Sequence, residues 1–268
     1  MFLNENAISG QQAIYDLARY LFEKLEYHGK RYFFRSKSYI SLPEVSADSI
    51  ISIIQKYARE KGTTVTFSEI ESYIKGLGLN GGNLRGLMRI DKEPIFLIYQ
   101  ENEYLLAELM HMDSDFFDKV KKALAHLFED VGDHIILRKI ADNWYNLLPA
   151  LPSSLDWTPM LLQHLLRFYS KELGARTIIA MATQNSNTLH AMLVANDSDI
   201  VDFRDAVAVF LYEEHPERTS FEAEELRKLL VRAGMLYGNE LIYNMHNALK
   251  GDPRFLWNSD GSKVTVRL

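Results

Sequence analysis

The chain contains no cysteine. Disulfides, thiolate zinc sites and cysteine nucleophiles are excluded together, and the composition fits a cytoplasmic protein. No apolar run reaches the roughly 18 residues that a membrane-spanning helix requires. The opening MFLNENAISG has neither the basic start nor the apolar core of a secretory signal. Enzyme signatures are missing too. There is no Gly-x-Ser-x-Gly elbow and no His-Glu-x-x-His pair. Gly78 to Gly86 reads GLNGGNLRG, yet it lacks the Gly-Lys-Ser/Thr that grips phosphate and magnesium, and no parallel strand is expected before it. Its place between two helices makes it a turn. The segment HLFEDVGDH gathers His126, Glu129, Asp130, Asp133 and His134, but at no established ligand spacing, and reads as an acidic helix end and polar turn. The expectation is a non-enzymatic protein with no cofactor and no metal.

What is present is the composition of a globular protein, 47% hydrophobic and 25% charged over 268 residues, long enough for more than one compact unit. The net charge of −6 argues against wholesale coating of nucleic acid. That charge is uneven. Residues 1–42 carry a net +2, residues 43–112 a net −3, residues 113–196 a net −1 and residues 197–268 a net −4.

The C-terminal quarter shows a definite order of elements. DFRDAVAVFLYEE, from Asp202 to Glu214, has Phe203, Val207, Phe210 and Leu211 on one helical stripe, and His215-Pro216 stops it. FEAEELRKLLVRAG predicts a second helix, with Ser220 as its cap and Gly234 as its close. A third is expected over roughly 239–250. RFLWNSDGSKVTVRL then places two β-prone runs around Asp260-Gly261, a strong hairpin signal. Residues 48–110 repeat this order. Asp48 to Lys61 and Phe67 to Leu77 predict two helices, Gly82-Asn83 opens a third, and KEPIFLIYQENEYLLAEL supplies a hairpin. Residues 116–195 do so with insertions: helices are expected over Phe116–Asp130, within Ile135–Leu148 and from Thr158-Pro159 onward, followed by two strands around a Gln-Asn-Ser-Asn tip.

Three helices followed by a β-hairpin resemble the winged-helix domain, the helix-turn-helix variant whose hairpin is the wing. The closing GDPRFLWNSDGSKVTVRL is similar to modules of the HARE-HTH kind. The resemblance implies a mainly α chain with small β-hairpins, an α+β class, in tandem units over residues 45–112, 113–196 and 197–268. Residues 1–44 then supply a partial unit, a third helix over Gln11–Tyr27 followed by a wing. That pattern leaves two expectations: either the chain is the tail of a longer protein, or the half-unit packs on its neighbour.

The wing of this partial unit is HGKRYFFRSKSYISL, with strands expected near 31–35 and 38–42. It interleaves Lys30, Arg31, Arg35 and Lys37 with aromatic rings, which suits contact with phosphates as well as the edge of an ordinary sheet. In a helix-turn-helix the third helix offers its first turns to base edges. The resemblance therefore nominates Asn83, Arg85 and Arg89 in one unit and Gln163, Arg167 and Lys171 in the next, because arginine and asparagine bond guanine and adenine through paired groups. Each is equally a solvent-facing residue of an amphipathic helix. Duplex DNA, met in a regulatory or recruiting role, is the expected partner. A protein partner is the alternative, above all through the acidic residues 197–268.

Overall fold

The computed structural model describes residues 11–22, 26–27, 30–31, 33–35, 39–41, 50–77, 94–179, 191–236, 238 and 241–267. Two compact units divide the chain, Met1–Asp91 and Lys92–Leu268. Both mix helices with small antiparallel sheets, an α+β architecture.

In the first unit, α1 spans Gln11–Phe22. The helix expected as far as Tyr27 does not reach it: Glu26–Tyr27 (β1) pair instead with Lys30–Arg31 (β2). The basic segment forms an antiparallel hairpin of Phe33–Arg35 (β3) and Tyr39–Ser41 (β4), with Phe34 opposite Ile40. Helix α2, Ile50–Lys61, and helix α3, Phe67–Gly76, lie on either side of the two-residue strand Val65–Thr66 (β5) in the chain. Thr66 starts α3 with a reciprocal cap. Its hydroxyl accepts the Glu69 amide at 3.2 Å, and its own amide donates to the Glu69 carboxylate at 2.7 Å. The Lys61 ammonium reaches the same carboxylate at 2.6 Å and, with the Thr66 amide, holds its pKa low. Tyr57 and Tyr73 stack at 4.3 Å, joining α2 to α3.

The second unit opens with a hairpin of Phe96–Gln100 (β6) and Glu103–Leu106 (β7). Helix α4 covers Ser114–Val131, strand β8 His134–Ile136, helix α5 Pro159–Leu173, strand β9 Ala175–Ile179 and strand β10 Ala191–Ala195. Helix α6 is Phe203–Glu214, β11 Ser220–Glu222, α7 Ala223–Ala233 and α8 Ile242–Leu249; strands β12, Phe255–Trp257, and β13, Lys263–Val266, complete it. The sheets are antiparallel with orders β8-β10-β9 and β11-β13-β12. In each, a short strand before the second position joins the hairpin. Ser220, expected to cap a helix, is part of such a strand, and α7 begins after Glu222.

The second helix expected within Ile135–Leu148 is not an α-helix. Ile135 and Ile136 go into β8, and the rest of the segment forms two 3₁₀ turns, Leu137–Lys139 and Asp142–Leu147. Paired β-branched residues favour the strand, while Asp142-Asn143 and Pro149 stop a longer helix from forming.

Two cores fill this unit, and β10 lies between them. Ala191 and Leu193 belong to the core built by α4, α5 and the hairpin residues Leu97, Tyr99 and Leu105. Met192 and Val194, together with Ile136, belong to the core built by α6, α7 and α8. All five residues of β10 are therefore buried, which explains an apolar run with no polar alternation. At the rim of this junction, the His134 ring meets Asp133 at 2.8 Å and Glu213 at 3.3 Å, and Lys139 meets Glu214 at 2.6 Å.

Trp144 and Trp157 fill the first of these cores or pack on it, as large aromatics near helix ends should. Their indole N–H groups donate to the carbonyls of Ala123 and Pro149.

Candidate functional site

A groove of about 540 Å³ lies where α5 and β9 meet the start of α6 and the end of α8. Its charged lining is Arg167, Arg176, Arg204 and Asp202, three guanidinium groups against one carboxylate. Ser170 and Thr177 add hydroxyls, and Leu166, Ile178, Val201 and Phe203 form apolar wall.

Local chain geometry positions each cation. Gly174 ends α5 in the left-handed conformation at φ 72°, which turns the chain directly into β9 and sets Arg176 beside the helix it has just left. The Arg176 guanidinium then donates to four carbonyls of the turn after β10. One terminal nitrogen reaches Ala195 and Asn196 at 3.0 and 2.8 Å, and the other reaches Ser198 and Ile200 at 3.1 and 2.8 Å. Arg204 lies in the first turn of α6, where the helix macrodipole opposes a positive charge. Its Nε donates to the Ala248 carbonyl at 2.9 Å, tying α6 to α8.

The carboxylates nearby are committed elsewhere. Asp202 caps α6, accepting the amides of Arg204 and Asp205. Asp205 and Asp252 both hold Arg254, at 2.7 and 2.6 Å. Burial pushes the Asp205 carboxyl up, but bonds from Arg254 and from the Val201 and Asp202 amides outweigh it and leave the pKa below the usual range. Arg254 lowers Asp252 most strongly, with a smaller contribution from the field of Arg204. Elsewhere in this stretch, Arg218 is clamped by both oxygens of Glu225, and Arg227 by both oxygens of Glu224. Neutral carbonyls hold Arg176 and Arg204 in place without cancelling their charge.

Of the residues nominated from the sequence, Arg167 lines this groove, and Lys171 is exposed one turn further along α5. Gln163 does not join them. It is 9% exposed, buried in the helix's packing face, and so cannot be offered to a base edge. The first turns of α5 are bonded into the preceding hairpin: the Thr158 hydroxyl donates to the Tyr99 carbonyl, the Tyr99 hydroxyl to the Asp156 carbonyl at 2.9 Å, and the Ile98 amide to His164 Nδ1 at 3.2 Å. Burial, with the Arg167 charge as a lesser cause, lowers the His164 pKa to about 3 and keeps the ring neutral. Lys30 and Arg31 lie on β2 and Arg35 on β3. Lys37, Asn83, Arg85 and Arg89 lie outside the described residues.

Sequence patterns passed over Arg176 and Arg204. A signal existed for the second, a cation at a helix N-terminus where acidic residues are the norm.

Among the described residues, no group of three or more metal-ligating side chains converges on one point, and no helix is long and apolar enough to cross a membrane. The exposed His126 ring and Asp130 carboxylate lie one turn apart on α4, at 3.6 Å. Compared with protein-family models, curated proteins and solved structures, the chain matches none.

Proposed function

We propose that the chain is a non-enzymatic module of tandem winged-helix units that binds duplex DNA, in a regulatory or recruiting role, by gripping the phosphate backbone. The winged-helix part of this reading rests on the order α6, α7, α8 and the hairpin β12–β13, three helices and a wing. The DNA part rests on one observation: arginines fixed in a groove by neutral carbonyls, with Lys171 beside them. Contacts to phosphate position a protein without reading sequence, which suits a unit whose α5 is bonded into a hairpin at the end that would read bases.

Fluorescence anisotropy with a labelled duplex across a salt series tests this. Three phosphate contacts from the groove correspond to a slope of about −3 in log K against log salt. Replacing Arg167 and Lys171 with Ala should make that slope shallower, as should replacing Lys30, Arg31, Arg35 and Lys37 if the first hairpin also touches DNA. Absence of binding at low salt rejects the reading.

A protein partner is favoured for residues 197–268 by a different observation. Leu241 and Tyr243 are 64% and 70% exposed at the start of α8, beside the exposed and uncharged Asn244 and Asn247. An exposed leucine and tyrosine on one helical turn are the chemistry of a protein interface, not of a phosphate contact. Tyr243→Glu should leave DNA affinity unchanged while abolishing site-specific crosslinking from residue 247 to a partner protein. Crosslinking that persists in the variant rejects this second reading.

A further inference from the structure

We propose that the groove between α5–β9 and α6–α8 is a receptor for a phosphate monoester, the doubly charged 5′-phosphate of a nucleotide. This inference rests on the DNA reading only for its choice of nucleotide as the ligand class.

Charge is the first ground. The lining carries a net +2, from Arg167, Arg176 and Arg204 against Asp202. A monoester close to −2 at neutral pH matches that lining, whereas one link of an uninterrupted backbone brings −1. Asp202, whose charge is already counted in that total, is held through its Oδ1 on two amides of the α6 N-terminus.

Donor geometry is the second. The one bond that Arg204 makes to Ala248 uses Nε. Its two terminal amino groups make no bond within the described residues, and they form the planar fork that grips two phosphate oxygens in parallel. The fork is pre-positioned by α8, so little side-chain entropy is lost when an anion arrives. The cation that the α6 macrodipole opposes is explained by the same ligand, because an anion placed there is favoured by Arg204 and by the helix N-terminus together.

Size and wall chemistry are the third. A volume near 540 Å³ exceeds what a bare phosphate fills and lies within the range of small-molecule pockets. Leu166, Ile178 and Val201 give an apolar wall for a sugar and base, beside the charged end. A continuous duplex backbone presents only its phosphates to the charged end of such a groove and leaves the apolar wall unused. A free nucleotide or a DNA 5′ end uses both.

The test is calorimetric titration of the intact chain with adenosine 5′-monophosphate, with adenosine as the neutral control. Alongside it, anisotropy compares a duplex carrying 5′-phosphates with the same duplex ending in 5′-hydroxyls. Expected are binding of the monophosphate without detectable binding of adenosine, and a loss of about tenfold or more in Arg204→Ala. Arg204→Lys should recover part of that loss, since it restores charge without the fork. Because Arg204→Ala also cuts the bond to Ala248, Arg167→Gln is the second variant, and it should weaken the monophosphate as well. Lys228→Gln, on α7 and outside the groove lining, should change nothing.

Equal binding of adenosine and its monophosphate overturns the proposal, as does unchanged affinity in both arginine variants. So does displacement of the monophosphate by a glutamate-rich peptide of equal affinity, which would make this a carboxylate site. If both duplexes bind alike, the monoester inference fails and the DNA reading stands. If the monophosphate binds through Arg204 while neither duplex binds at low salt, the DNA reading fails and the receptor stands.

Discussion

The His164 ring should make the Lys92–Leu268 unit acid-sensitive from about pH 6.5 downward, so that stability begins to fall above the range where ordinary carboxylates titrate. Its Nδ1 accepts the Ile98 amide at 3.2 Å, which requires an unprotonated nitrogen. Protonation would break that bond and place a charge beside Arg167 inside the contact between α5 and β6. Burial first, and Arg167 second, depress the folded pKa to about 3. The unfolded chain, with an ordinary imidazole near 6.5, takes up the proton first. Stability is therefore complete above pH 6.5 and falls as the pH drops toward 3, by at most about 1.4 kcal/mol per unit. At pH 5 the ring should cost about 1–2 kcal/mol, once partial solvent contact is allowed for. Urea unfolding can be followed by the fluorescence of Trp144 and Trp157, which report on this core. It should be compared at pH 7.5 and pH 5 for the wild type and for His164→Gln, whose amide oxygen can accept the same bond without titrating. The wild type should lose about 1–2 kcal/mol more than the variant. Equal losses in the two proteins, or an NMR titration of the His164 ring near pH 6.5, would refute the reasoning.

Other parts of the structure give three further outcomes. Arg254→Met leaves Asp252, 8% exposed, without its counter-charge and should cost about 2–3 kcal/mol by chemical denaturation. Because Arg254 holds the Asp205 and Asp252 carboxyls low, its contribution is present above the usual carboxylate range and is lost as pH falls through it, so the penalty should shrink in acid. Gly234→Ala forces a side chain onto a backbone at φ 81° and brings its Cβ to 2.9 Å from the Arg138 side chain. It should lower stability by about 1–2 kcal/mol in a thermal melt, and a gain would refute this account of the helix end. Thr66→Ala removes a reciprocal cap in the first unit and should cost about 1 kcal/mol there. No change in amide exchange along α3 would show that the cap is idle.

Much of this architecture can be read from short sequence patterns. Asp202, Thr158-Pro159 and Gly234 mark helix ends because each satisfies backbone groups that only a few residue types can satisfy. Asp260-Gly261 marks a hairpin because Gly261 takes φ 70° cheaply. The parts that escape depend on contacts distant in sequence. Gln163 has a polar identity but a buried place on a helix that packs against β6, β9 and α4, and helical periodicity alone carries no knowledge of those neighbours. The segment Ile135–Leu148 has enough apolar residues for a helix, yet strand pairing with Leu193 and Met192 claims its start. Arg176 and Arg204 lie 28 positions apart, and only the packing of α5–β9 on α6–α8 brings both to one groove. The unbroken apolar run AMLVA is the sequence feature of β10 that matches its burial on both faces.

That doubly buried strand has a counterpart that is not buried. By pairing, Ile136 opposite Met192 occupies the place that Glu222 opposite Lys263 holds in the last sheet, and Val194 that of Thr265. The first set is sealed inside a core, while Glu222, Lys263 and Thr265 face water, the two charges 3.9 Å apart. A sheet face that joins two cores within one chain is also a template for joining one molecule to another, and head-to-tail contacts of that kind grow into fibres wherever their rotation does not close a ring. Glutamate and lysine at this outer face would oppose such growth, because burying them there desolvates two charges. Restoring the inner chemistry there, with Glu222→Ile, Lys263→Met and Thr265→Val together, should turn a discrete particle into a concentration-dependent polymer in the ultracentrifuge.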